Sequence, residues 1–256
     1  PADRSVIEAI VPGAEPFRHD GGDDGVLMVH GFSGSPASLR PMGAWFAEQG
    51  ISVLGVRLPG HGTNLRDFAT RTWPEWVATV DNAFADLRAR CSRLLVLAQS
   101  FGAALAVHLA AERPSEVDGL ALLSPYLFDT RLLILPVARL VKRRSKAVGD
   151  DIARPGVTEL AYPEVPVPAL VTMAAFLKIA RADLPNVTAP AIVFRPGADH
   201  TIPRSNPQRV FEALGSSRKE LVECPSSYHV ISLDHDAAMA QARILDFLRT
   251  LSPEPL

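Results

Sequence analysis

Between Leu94 and Leu105 the chain reads LLVLAQSFGAAL. An apolar run stops at Gln99, a serine follows, and a small-residue helical pattern begins. A strand that turns straight into a helix with one serine at its tip is the sequence form of a nucleophile elbow, and it constrains the chain more than any other feature. The turn closes only when its flanks are small, as Ala98, Gly102 and Ala103 are. The pattern G-x-S-x-G is met except at Ala98, where glycine would be the freer choice if backbones crowd or φ turns positive. Read alone, the pentapeptide also fits an ordinary strand–turn–helix with a buried serine, so the rest of the chain has to decide.

The rest alternates strand and helix, which predicts a mainly parallel sheet covered by helices on both faces. Gly25 to His30 (GVLMVH) and Ile51 to Leu58 read as buried strands. Between them Leu39 to Gln49 reads as a helix stopped by Gly50. A PGHG loop covers Pro59 to Gly62. Thr72 and Glu75 form a T-x-x-E capping box for a helix running to about Arg90, with Trp76, Val77, Val80, Phe84 and Leu87 on one side. Arg93 to Gln99 is the elbow strand, Phe101 to Glu112 its helix, and Gly119 to Ser124 the next strand. Strand and helix return at Ala191 to Phe194, Pro207 to Leu214, Glu220 to Glu223 and about His235 to Leu251.

Between Tyr126 and Pro185 the rhythm breaks. Helical stretches at Leu132–Val141 and Ala169–Arg181 flank a proline-rich segment, Tyr162 to Pro168, with no clear strand pattern. A stretch this long inside a compact domain predicts an inserted helical cap over residues 126–185, the core being residues 1–125 and 186–256. No repeat or low-complexity tract is visible.

A length of 256 residues suits one large domain with an insertion. The formal net charge of −2 argues against a nucleic-acid partner. Cys91 and Cys224 supply neither a disulfide framework nor a metal-ligand cluster, and they fit a reducing, cytoplasmic setting. The opening PADRSVIEAIVPGAEPF has no basic start followed by an apolar core, so it does not read as a leader. The longest apolar stretch, near Leu132 to Val141, is too short to span a bilayer.

A serine hydroxyl needs a base to take its proton, and the base needs an acid to orient it. On doubly wound sheets these follow in the order Ser, Asp/Glu, His, and reactive groups gather outside the carboxyl ends of strands. Asp199 (in RPGADHTIP) and His229 (in CPSSYHVISLDHD) both meet these conditions, as does Ser100. Among the competitors, His200 is adjacent to Asp199 but on the wrong side in chain order. His235 falls at a helix start, His108 lies within the elbow helix, and His61 sits in the PGHG loop. Asp183 and Asp234 are alternative acids, but neither directly follows a strand. Two N–H donors are needed for a developing oxyanion. Phe101, after the serine, supplies one, and Phe32, in the Gly-flanked loop HGFSG after an early strand, supplies the other.

HGFSGSP, RLPGHG, AQSFG, ELAYPEVP, DHTIP and SSYHVISLD together resemble the bacterial monoacylglycerol lipases and their carboxylesterase relatives, of the α/β-hydrolase superfamily. The resemblance runs from Pro12 to the last helix. It implies an α/β-hydrolase fold with a small helical cap over an apolar acyl tunnel, a Ser100–Asp199–His229 triad, and Phe32 and Phe101 at the oxyanion hole. The family's E-L-A-Y motif carries a glutamate that holds a glycerol hydroxyl, which makes Glu159 the candidate for head-group recognition; a solvated or ion-paired cap glutamate is the alternative. The implied substrate is a small ester or monoglyceride, cleaved without metal or organic cofactor. A carboxylesterase with no glycerol preference and a non-catalytic binder on the same fold are the rival functions. Lys142, Arg143, Arg144 and Lys146 read as a solvated face or as a transient contact with an anionic lipid surface, beside Leu132, Leu133, Ile134 and Leu135.

Overall fold

The structure is a computed structural model and describes residues 8–134, 143–147 and 150–251. Among them, seven strands form one sheet: β1 (Phe17–His19), β2 (Asp24–Val29), β3 (Ser52–Val56), β4 (Arg93–Gln99), β5 (Gly119–Leu123), β8 (Ala191–Pro196) and β9 (Lys219–Cys224). Their order is β1-β3-β2-β4-β5-β8-β9. Only β1 runs antiparallel, pairing Phe17 with Gly55, and the other neighbours are parallel. β6 (Arg144–Lys146) and β7 (Glu164–Pro166) form a separate antiparallel ribbon.

The strands bury both faces, so adjacent residues enter different cores. Leu27, Val96, Ala98 and Leu122 face one apolar cluster. Val26, Met28, Leu97 and Leu123 face the other. The first is covered by α3 (Trp73–Arg88), α4 (Gly102–Glu112) and α5 (Val167–Asp183). The second is covered by α1 (Arg40–Glu48) and α7 (Ala237–Arg249). Two further helices, α2 (Leu65–Thr70) and α6 (Asn206–Ala213), complete the set among the described residues. The helix expected from Thr72 is α3: the Glu75 carboxylate accepts the Thr72 N–H at 2.8 Å, and Trp76, Val80, Phe84 and Leu87 are buried while Val77 is half-buried. Gly50, at φ +80, follows the C-cap of α1.

The structure departs from the sequence reading where elements are too short for periodicity to register. The sequence alone does not mark β1 or α2. β6 and β7 lie where no strand was expected, each three residues long. Of the helix expected at Leu132–Val141, the described part is a 3₁₀ turn, Thr130–Ile134, and residues 135–141 lie outside the described residues, as does Lys142. The Ala169–Arg181 stretch falls within α5. Among the described residues no helix is long and apolar enough to cross a membrane. Cys91 and Cys224 are both free and buried.

Candidate active site

The site forms at the carboxyl ends of the central strands, as the sheet topology requires. β4 ends at Gln99, and Ser100 takes a left-handed conformation, φ 54, before α4 starts. A non-glycine residue there costs on the order of 1–3 kcal/mol and persists only when the surroundings fix it. Here they do: the Ser100 N–H donates to Leu123 O at 2.9 Å, and its carbonyl accepts the Tyr126 N–H at 3.0 Å. Gly102 is required by contact, because a β-carbon would stand 2.4 Å from Val29 O and 2.7 Å from His30 O. Ala98 needs no such freedom. It is not among the positive-φ residues, and its methyl is fully buried in the core.

Ser100, Asp199 and His229 come from three different strand ends and meet in one hydrogen-bonded line. His229 Nε2 lies 2.9 Å from Ser100 Oγ, and His229 Nδ1 lies 2.7 Å from Asp199 Oδ2. All three residues are buried. The other Asp199 oxygen accepts the backbone N–H groups of Thr201 and Ile202, both at 2.9 Å, so the carboxylate is held at both oxygens. Burial opposes charge on His229, but the hydrogen bond and charge of Asp199, with the fields of Glu159 and Asp151, outweigh it and raise the imidazole pKa above 6.5.

On the opposite side of Ser100 runs the loop from His30 to Gly34. His30 Nε2 accepts the Leu58 N–H at 3.2 Å, so the ring proton sits on Nδ1 and is donated to Gly31 O at 2.9 Å. Burial, with the nearby Arg57 charge, holds this imidazole down to about 4, and it stays neutral. The Phe32 ring is set against Phe101, Trp76, Phe68 and His61, with centroids 5.0–5.9 Å apart. That cluster fixes the loop beside the elbow. Among the described residues, neither the Phe32 nor the Phe101 N–H is engaged by a backbone or side-chain acceptor.

A cavity of about 370 Å³ opens above Ser100. Leu132, Val165, Val167, Leu170 and Met173 line its apolar side, Glu159 adds a carboxyl, and Gln99, 1% exposed, borders it beneath Ser100. Glu159 is partly buried against the same loop: a β-carbon on Gly34 would stand 3.0 Å from its Oε1. Burial pushes the Glu159 carboxyl up to about 7, against the opposing influence of His229.

The competing residues serve elsewhere. His200 pairs with Asp151 at 2.7 Å, and His108 with Asp183 at 2.8 Å on α4 and α5. His61 is buried among aromatic rings, and His235 is exposed just before α7. Asp234 accepts four backbone N–H groups, from Ala153, Arg154, Tyr228 and His235. Asp151 escapes the sequence reading altogether. It follows no strand, and its contact with His200 spans 49 positions.

A family profile described as "Alpha/beta hydrolase family" matches residues 26–242. The chain is 34% identical over 239 residues to a thermostable monoacylglycerol lipase of Bacillus sp. (strain H-257), covering 93% of this chain and 95% of that one. It is 21% identical to a carboxylesterase of Bacillus subtilis (strain 168), covering 93% and 97%. A solved structure from a study of the metagenome-derived lipolytic enzymes LipS and LipT superposes with a TM-score of 0.90 at 35% identity, covering 94% of this chain and 99% of that one.

Proposed function

This chain belongs to the alpha/beta hydrolase family, and on that premise we propose that it is a serine ester hydrolase that cleaves monoacylglycerols to a fatty acid and glycerol. The observation that carries the reading is the line Asp199–His229–Ser100, with contacts of 2.7 and 2.9 Å, at the base of a cavity with one apolar side.

In the proposed reaction Ser100 Oγ attacks the ester carbonyl while His229 Nε2 takes the hydroxyl proton. Asp199 holds the proton on Nδ1 and stabilises the imidazolium. The Phe32 and Phe101 N–H groups receive the oxyanion. When the intermediate collapses, the C–O bond to the alcohol breaks, and His229 returns its proton to the leaving oxygen. Water, deprotonated by the same imidazole, then attacks the acyl-serine and releases the fatty acid. The apolar wall accommodates the acyl chain, and Glu159 recognises the glycerol hydroxyls. Support for the monoglyceride comes from the name of the 34% identical relative and from the position of Glu159 beside Gly34. The described basic residues Arg143, Arg144 and Lys146 are exposed, which suits transient contact of the 126–185 cap with an anionic lipid surface. The two free cysteines suit a cytoplasmic setting.

Labelling with a fluorophosphonate, together with turnover of a panel of monoglycerides and alkyl esters, tests the reading. Ser100 is expected to take one equivalent, and Ser100→Ala is expected to lose turnover by about 10⁴-fold or more while remaining folded. Labelling at another residue sinks the mechanism. Equal rates on monoglycerides and simple esters of matched chain length leave a carboxylesterase without head-group preference.

A further inference from the structure

We propose that Gln99 is a positioning residue for the Ser100–His229 pair, acting through a hydrogen bond to Ser232. The inference rests on the reading that these two residues react together. Gln99 occupies the variable place of the elbow, where the sequence assigns it no role. The residue is 1% exposed, and its Oε1 accepts the Ser232 Oγ–H at 2.6 Å. Ser232 stands three residues beyond His229 in a 3₁₀ turn, Ile231–Leu233, and is itself buried. A side chain next to the nucleophile is therefore tied to the turn that follows the base.

A second bond acts on the same loop from the other side. Ser124, fully buried at the end of β5 with φ 45, donates its hydroxyl to His229 O at 2.7 Å. Its own N–H donates to Phe194 O at 3.1 Å, so it is anchored to the sheet. His229 is thus held at its carbonyl by β5, and its loop is held three residues on by the elbow. Both ties join segments more than a hundred residues apart.

The choice of residue carries the physical argument. Burying an amide costs free energy unless its polar atoms are paired, and an apolar side chain would fill this place without that cost. A buried glutamine tied to the base-bearing loop is better explained by alignment than by packing. Misplacement of a reacting group by about 1 Å can cost on the order of 10²-fold in rate. Because Gln99 and Ser232 are both neutral, their bond sets position without adding charge at His229.

The test compares Gln99→Met, which keeps length but loses the acceptor, with Ser232→Ala and the double variant, using a short ester. Rates are taken per active site titrated with fluorophosphonate. Each single variant is expected to lower kcat by about 10- to 100-fold, leave KM within about twofold, and leave the acid limb of the pH profile in place. The double variant is expected to be no slower than the worse single one, because a single bond is removed. Wild-type kcat per titrated site in both single variants, or losses that multiply in the double, would overturn the inference. Neither result affects the assignment of Ser100, which the labelling site decides separately.

Discussion

Two stretches between β5 and β8, residues 130–147 and 150–162, both border the reaction cavity, yet they are attached in different ways. The second is stitched to the loops that follow β2, β3, β8 and β9. Asp151 takes the His200 N–H and ring nitrogen on its carboxylate and the Val230 N–H on its carbonyl. Asp234 holds Ala153 and Arg154. Ser35 donates to Leu160 O, Tyr162 N–H to Ser33 O, and the Tyr162 hydroxyl to Gly60 O. The described residues of the first stretch bond mainly to β7 and its flanks through the β6–β7 ribbon. Arg131 ties the stretch outside the ribbon, donating to the Asp129 carboxylate and to Thr201 O. The lesson concerns selectivity. On the proposed reading, the side that meets the alcohol is held to the loops around Ser100, while the apolar wall takes Leu132 from the first stretch and Val165, Val167, Leu170 and Met173 from β7 and α5.

The largest break in that contrast is expected from Asp234→Ala. It removes one acceptor from four backbone N–H groups at once, on both the 150–162 segment and the His229 loop. These bonds are part-buried, so each stands at or below the low end of the roughly 1–3 kcal/mol that an unpaired buried group costs, and a loss of about 2 kcal/mol in chemical unfolding is expected, with a marked fall in kcat. Wild-type stability would show that the segment is held by other means.

Glu159→Gln sharpens the contrast without breaking it. The preference for a monoglyceride over an alkyl ester of equal chain length is expected to fall by about tenfold, with the alkyl ester rate little changed. The same variant tests the electrical link between this segment and the base. Imidazolium cannot take the Ser100 proton, so wild-type activity is expected to fall as the pH drops through a value above 6.5, where Asp199, Glu159 and Asp151 have raised the pKa of His229 against its burial. Removing the Glu159 carboxyl moves that fall to lower pH, and an acid limb that stays in place breaks the link. The smallest effect belongs to the first stretch. Arg144 meets Glu164 at 3.2 Å with both side chains exposed, and Arg144→Ala is expected to change stability by less than about 1 kcal/mol and activity by less than about threefold.

Much of the fold is legible in the chain because alternating burial writes itself into the residues. Leu27 and Met28, one position apart, enter opposite cores, and so the stretch VLMV is apolar without a break. Strand ends are equally readable, and they single out Ser100, Asp199 and His229. Short elements leave no period to read. β6 and β7 have three residues each, and α2 has six. Roles of single polar residues are also hidden. Asp234 looks like a spare acid until its four backbone partners are seen.

By itself the sequence determined the architecture and the chemical types at the site, since periodicity, turn-forming residues and chain order are local properties of the polymer. The tertiary structure decided which polar groups meet. Gln99 finds Ser232, Ser124 finds the His229 carbonyl, and Asp151 finds His200, across separations of 133, 105 and 49 residues. Hydrogen bonds form only over about 3 Å, and no spacing along a chain encodes that distance until the sheet has brought the strand ends together.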